Sequence, residues 1–208
     1  MMRARVTERK NPVRKTGYHH GDLSNQLVEA ARQLVEEHGS ERCTLAAACR
    51  IAGVSTAAPY RHFADKQELL HAVAERGFLG LSSQTRDYSK DFTEGSAEAI
   101  AAIGRAYVDF AVAQPGVFRL MFSATEEDSV PDSLRNTAMA AYGVLLHQVA
   151  AHFALDEEAI KVREKALYLW TFVHGLSFLL IDGKLGITDM SVDIAAMIRS
   201  CTEKLLTD

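Results

Sequence analysis

Apolar residues recur at three- and four-residue steps through almost all of this 208-residue chain, and no stretch alternates apolar with polar residues for more than a few positions. A side-chain period near that of a helix cannot cover one face of a strand, so the chain is confined to helices packed on helices. Leu23, Leu27, Ala30, Ala31, Leu34, Val35 and His38 show the pattern first, with Asp22 where an N-cap belongs and Gly39 as a stop. Thr44 caps a short run over 45–52 that ends at Gly53, and a second short run covers 56–63. Asp65, with Glu68 three residues on, reads as a capping box that opens a fourth helix through Leu69, Leu70, Val73 and Phe78. A polar stretch over 81–93 then places a module boundary near the end of that helix. Five further helices are predicted at roughly 96–114, 115–123, 131–153, 156–182 and 191–206, with Pro115 and Pro131 at first-turn positions. The fold class is all α, about nine helices, with a small module over 18–80 ahead of a larger bundle over 81–208.

Composition narrows the class. With 48% apolar residues, 24% charged residues, 13 Gly and 4 Pro, the chain has enough apolar surface for a core and is neither collagenous nor disordered. No apolar run reaches the length of a spanning helix, and the best candidate, 172–181, is interrupted by His174 and Gly175. Arg3, Arg5, Arg9 and Lys10 have no apolar segment behind them, so a secretory signal is not expected and a cytoplasmic location is. Cys43, Cys49 and Cys201 are odd in number and lack metal-ligand spacing, which favours small packed thiols over a disulfide framework or a zinc site. Charge is divided unevenly: residues 1–80 carry net +3 and residues 81–208 net −7. A basic arm over 1–17, with Arg14 and Lys15 near its end, precedes the first patterned helix and suits a polyanion.

Residues 44–63 have the anatomy of a helix-turn-helix. Gly53 permits the left-handed backbone that reverses the chain, Val54 anchors the turn, and Ser55 or Thr56 can satisfy the free amides of the next helix. Ala57 and Ala58 are small enough to let a groove wall approach, and Tyr60, Arg61 and His62 offer donors for phosphates or base edges. Lys66, in the first turn of the following helix, sits beside a natural phosphate seat. Glycine-turn hairpins also occur in plain bundles, so the surrounding sequence matters.

That surrounding sequence reads Tyr18-His-His-Gly-Asp22, Thr44-Leu-Ala, Ile51-Ala-Gly-Val-Ser55 and Tyr60-Arg-His-Phe-Ala-Asp-Lys66, followed by Glu68-Leu-Leu70. Over about residues 18–78 it closely resembles the DNA-binding end of the tetracycline-repressor (TetR) family. Trp170 with His174-Gly175 resembles the Trp-His-Gly stretch of one subgroup's ligand domain. The resemblance implies a homodimeric bacterial transcription regulator, usually a repressor, with double-stranded operator DNA and a small-molecule effector as partners. Carried over by position, Thr44 would contact phosphate, Ser55, Thr56, Ala57 and Ala58 would lie in the major groove, Tyr60, His62 and Lys66 would clamp the backbone, and Arg14 and Lys15 would serve the arm. Pro59 departs from the family pattern, because many relatives carry a non-proline residue there.

The rear bundle is rich in aromatic and thioether side chains, most of which must be core. A pocket within it is expected to draw on Phe110, Phe118, Phe122 and Trp170, with Arg119, Tyr142, His147 and His174 as polar groups, and to take a mostly hydrophobic effector. Trp170 and His174 share one helix face and point together into either the core or a cavity. Leu167, Trp170, Val173, Leu176, Leu180, Ile194, Ile198 and Leu205 are candidates for a dimer interface built from the last two helices. Effector binding is expected to tilt the front module through the fourth helix. His19, His20 and Asp22 make a poor metal site, since adjacent residues rarely point at one ion. No metal or cofactor is expected, and the absence of a phosphate loop, nucleophile elbow or paired metal-binding histidines argues against an enzyme. The rival to a regulator is a small-molecule binding bundle that never meets DNA.

Overall fold

The computed structural model describes residues 20–57, 59–123, 130–188 and 191–207. Among them the fold is all α, with no strand. Helices α1 (His20–His38), α2 (Leu45–Ala52) and α3 (Lys66–Ser89) are followed by α4 (Ala97–Ala113), α5 (Pro115–Met121), α6 (Asp132–Phe153), α7 (Ile160–Ile181) and α8 (Ile194–Leu206). Helix starts follow local chemistry: Thr44, Asp65, Ser96 and Asp193 each accept a backbone N–H three residues on, filling donors that a helix start leaves free. Asp22, expected as the first cap, lies instead within the first turn of α1, which starts at His20.

Two predicted elements differ. The helix expected over 56–63 is not a regular α-helix: Thr56 and Ala57 form a turn, and Pro59–Arg61 is a single 3-10 turn closed by the N–H groups of His62 and Phe63 on the Pro59 carbonyl, each at 2.8 Å. Proline has no N–H to donate back along a helix and disfavours the helical region at the residue before it, so Pro59 caps the length of any helix here. The helix expected to end near Phe78 runs on to Ser89. Its polar stretch continues the helix rather than forming a linker: Ser82, Thr85 and Ser89 are buried, and the hydroxyls of Thr85 and Ser89 turn back onto the carbonyls of Ser82 and Thr85, each at 3.0 Å. A serine or threonine satisfied in that way packs like a small apolar residue.

Helix α4 is the hub. It packs against α3, α7 and α8, while α3 lies along α6 and reaches α1 and α5. One core runs from Leu27, Ala31 and Val35 of α1 through Leu69 and Val73 to Phe110 and Phe118, and a second joins Ile100, Val149, Val162 and Leu169. Each fully buried leucine, valine or phenylalanine there contributes about 1.5–3 kcal/mol through removal from water. Cys43 and Cys49 belong to the first core, and burial pushes both thiols up from their ordinary value. Val173, Leu176 and Ile198, expected at a dimer face, are buried inside the protomer. No helix among the described residues is long and apolar enough to cross a membrane.

Candidate functional site

Two regions concentrate chemistry, at opposite ends of α3. The first is the turn between α2 and α3. Thr44 accepts the Ala47 N–H at 3.1 Å, and Gly53 ends α2 with φ 68 and ψ 31, the left-handed conformation the sequence pattern requires. The Val54 N–H closes on the Cys49 carbonyl at 3.0 Å, turning the chain outward. Ser55, Thr56 and Ala57 are exposed, Tyr60 is 65% exposed, and His62 is half-buried. Arg42, Arg50 and Arg61 are exposed around the same turn, and among the described residues none has a carboxylate within ion-pair distance. Arg32, Arg105, Arg119 and Arg163, by contrast, are each paired. Lys66 donates to the Glu41 carbonyl at 2.9 Å, which ties the 3-10 turn Ser40–Arg42 to the start of α3 and leaves two ammonium protons for another acceptor. The capping box is modified: Asp65 accepts from the Glu68 N–H at 2.9 Å, while Glu68 reaches back to the Ala64 N–H at 2.6 Å. Arg14, Lys15 and Ala58 lie outside the described residues, as do the side chains of His19, His20 and Asp22.

The second region is a cavity of about 730 Å³ between α3, α4, α6 and α7, closed on one side by Met121 and Phe122. Of the residues expected there, Phe122, Tyr142 and Trp170 line it. Phe110 and Phe118 are instead fully packed core. Arg119 faces outward, paired with Asp182 and lying over the Phe178 ring. His147 is at the surface between Glu94 at 2.8 Å and Glu157 at 3.1 Å, which hold its pKa above the ordinary histidine value, Glu94 first. These two polar side chains sit outside because each finds a carboxylate there, which a buried wall does not offer.

His174 is resolved by its partner. Its Nδ1 lies 2.8 Å from the Tyr107 hydroxyl, to which the Trp170 indole N–H also donates at 3.2 Å. An indole can only donate, so the phenol accepts from Trp170, and its second contact ties it to the His174 ring. Burial raises the Tyr107 pKa and lowers that of His174, so both are neutral. The imidazole is packed against Phe118, Phe122 and Phe178, with the Phe122 centroid 4.7 Å away. It is half-buried behind the cavity and is not among the residues that line it, whereas Tyr107 is.

Two residues escaped the sequence reading. Tyr107 sits on the apolar face of α4, and its only signal was a hydroxyl that needs a partner when buried. Glu36, on α1, accepts the N–H groups of Gly116 and Val117 at 3.0 and 2.8 Å, capping α5 from 80 residues away where Gln114 offers no side-chain cap. Nothing local in the sequence marks that contact.

An all-helical chain with a cation-flanked helix-turn-helix at one end and a ligand-sized cavity at the other defines a class of helical regulatory folds. Residues 27–73 match the profile of bacterial regulatory proteins of the tetR family, and residues 100–205 match that of the tetracyclin repressor-like C-terminal domain. The chain belongs to the TetR family. It is 25% identical over 139 residues to the HTH-type transcriptional regulator Rv1816 of Mycobacterium tuberculosis, a match over 65% of this chain and 59% of that protein. It is 29% identical over 99 residues to the HTH-type transcriptional regulator YobS of Bacillus subtilis, over 47% of this chain and 50% of YobS. The matches thus span only about half to three-fifths of those relatives. A solved structure of a protein of unknown function from Rhodococcus sp. RHA1 superposes with a TM-score of 0.78 at 26% identity, covering 92% of this chain and 97% of that one.

Proposed function

We propose that this chain is a sequence-specific DNA-binding transcription regulator, a repressor released from its operator by a small, mostly hydrophobic effector. In this reading residues 1–17 are a basic arm, 18–80 the DNA-binding unit and 81–208 the ligand and dimerisation unit. The observation that carries it is the set of exposed arginines around the Gly53 turn, Arg42, Arg50 and Arg61, which have no carboxylate partner among the described residues. Arg42, Arg50, Arg61 and Lys66 surround a small-residue tip, so phosphates meet charge while Ser55, Thr56, Ala57 and Ala58 meet base edges. Thr44, Tyr60 and His62 supply neutral donors to the backbone, and Arg14 and Lys15 extend the charge along the arm. Regulators of this family bind operator DNA and dimerise. The exposed faces of α7 and α8 are the interface we assign here, setting two tips about 34 Å apart on successive major grooves. In this reading Trp170, His174 and Gly175 correspond to the Trp-His-Gly stretch of one subgroup's ligand domain.

The effector class follows from the wall. The cavity is lined mostly by apolar side chains, with Thr85, Tyr107, Arg135, Tyr142 and Thr202 as its polar residues. A ligand charge deep within it would lose hydration without a buried counterion, so an uncharged apolar molecule with one or two hydrogen-bonding groups fits best. Two routes lead back to the tip: α3, whose Phe78, Leu81 and Thr85 line the cavity and whose start carries Lys66, and α5, whose Met121 lines it together with the next residue, Phe122, and whose N-terminus is held by Glu36.

The test is fluorescence anisotropy on DNA from upstream of its own reading frame and on a scrambled duplex, across a salt series. Specific binding is expected to exceed non-specific binding by about a thousandfold or more. Lys66→Ala is expected to weaken binding to both duplexes and lower the log-log salt slope by about one. Equal affinity for the two duplexes, with an apolar probe still taken up, would favour the binding bundle without a DNA role.

A further inference from the structure

We infer that the effector is an uncharged molecule with an aromatic ring at one end and a hydroxyl or carbonyl at the other, the ring lying against Trp170 and Phe122 and the polar group bonding to Thr202. This rests on the reading of the cavity as an effector site and adds the order in which the effector's parts lie along it.

The cavity lies where the two cores meet, and its wall changes chemistry between them. In one part Phe78, Phe122, Trp170 and Tyr142 form a continuous run of rings, with successive centroids 5.5, 6.3 and 5.7 Å apart. In the other part Ile100, Ile103, Leu145 and Leu169, all members of the second core, offer only aliphatic surface. Edge and offset contacts between rings add to what burial alone gives, so an aromatic group belongs in the first part. Along α4 the aromatic part begins at Tyr107, bonded to Trp170, and the aliphatic part reaches Ile100, about 10 Å of helix away.

Thr202 stands in the aliphatic part. It lines the cavity, is 2% exposed, and lies one turn before Leu206, another member of the second core. Its hydroxyl has no hydrogen-bond partner among the described residues, yet no fully buried side-chain oxygen or nitrogen among them goes without one. The hydroxyl therefore opens onto the cavity space. The other polar residues of the wall are already engaged or near water. Thr85 donates to the Ser82 carbonyl at 3.0 Å, Tyr107 is held by Trp170 and His174, Tyr142 is half-buried and Arg135 is exposed. A buried hydroxyl without a partner favours any occupant that brings one, so the polar group of the effector belongs at Thr202, separated from the ring by an apolar spacer.

Three probes test the order of parts. 6-Phenylhexan-1-ol and its isomer 4-hexylphenol carry the hydroxyl at the far end of the chain and on the ring respectively, and 1-nonanol keeps the terminal hydroxyl without a ring. Isothermal titration calorimetry gives their affinities for the native protein and for variants whose fold circular dichroism verifies. Thr202→Val, which keeps the shape and removes the hydroxyl, is expected to weaken 6-phenylhexan-1-ol about three- to tenfold and to leave 4-hexylphenol unchanged. Thr202→Ser, which keeps the hydroxyl, is expected to retain the affinity for 6-phenylhexan-1-ol. Phe122→Leu is expected to weaken 6-phenylhexan-1-ol about two- to tenfold and to leave 1-nonanol unchanged. Ala141→Trp, which places an indole in the cavity, is expected to weaken all three. If Thr202→Val affects the two isomers alike, or Phe122→Leu affects 1-nonanol as much as 6-phenylhexan-1-ol, the order of parts is wrong and the effector site stands. If no probe binds the native protein, or Ala141→Trp leaves binding unchanged, the reading of the cavity as an effector site falls with it.

Discussion

His147 shows how a residue can resemble a ligand-binding group and serve another end. Its ring bridges Glu94, in the connection between α3 and α4, and Glu157, in the connection between α6 and α7, while its neighbours Gln148 and His152 hold the N–H and carbonyl of Gly95. Because the carboxylates raise its pKa in the folded state, its stabilisation is full below the ordinary histidine value near 6.5 and is lost as pH rises through the higher folded value. The pair is exposed, so the effect is of order 0.2–1 kcal/mol. Thermal unfolding of the native protein and of His147→Gln is expected to differ most at pH 6 and to converge by pH 9; a constant difference across that range would show that the charge is not responsible. The same residue illustrates what was legible. Thr44, Gly53, Asp65 and Glu68 could be read because a cap or turn involves partners at most four residues away. His147, Glu36 and Tyr107 depend on partners between ten and 81 residues distant, and spacing along the chain carries no trace of them.

At the level of elements, seven of the helices were legible as periodic runs, and the two misreadings have separate physical causes. Pro59 reduces the run after the Gly53 turn to a 3-10 turn, and back-bonded hydroxyls let α3 continue through a stretch whose composition suggests a linker. What no periodicity shows is how closely α5 approaches α1. A Cβ at Gly116 would lie 2.5 Å from the Val35 carbonyl oxygen and 2.8 Å from Glu36 Cα, both backbone atoms that cannot move aside alone. Gly116→Ala is therefore expected to push α5 away from α1 and stretch both bonds to Glu36, at a loss of about 1–3 kcal/mol by analogy with overpacked cores. Urea unfolding reads the loss, and unchanged stability would mean that the contact between α1 and α5 is looser than the backbone positions require. Gly116→Ala also tests whether α5 is held in place by α1 or only by the core beneath it.

Across the whole molecule, the front carries net positive charge and the rear net negative, so a polyanion is drawn to one end and repelled from the other. The cavity lies in the repelled end, and its influence must travel through packed elements rather than through the field. Helix α3 spans both ends as a single rod, while α5 meets the front through the close approach of Gly116 to Val35 and two hydrogen bonds to the Glu36 carboxylate. If an occupant moves Phe122, α5 moves with it, and Glu36 passes the shift to α1. Glu36→Gln keeps the shape but leaves a neutral amide, with one oxygen to serve two N–H groups. With Ala141→Trp as a permanent occupant, a double-mutant cycle isolates this route. In the native background Ala141→Trp is expected to weaken operator binding about 5- to 150-fold, the range of ordinary allosteric coupling. In the Glu36→Gln background the same substitution is expected to weaken it markedly less, because the hydrogen-bonded link between α5 and α1 is loosened while α3 is unchanged. An identical ratio in both backgrounds would assign the whole effect to α3 and reduce Glu36 to a cap on a short helix.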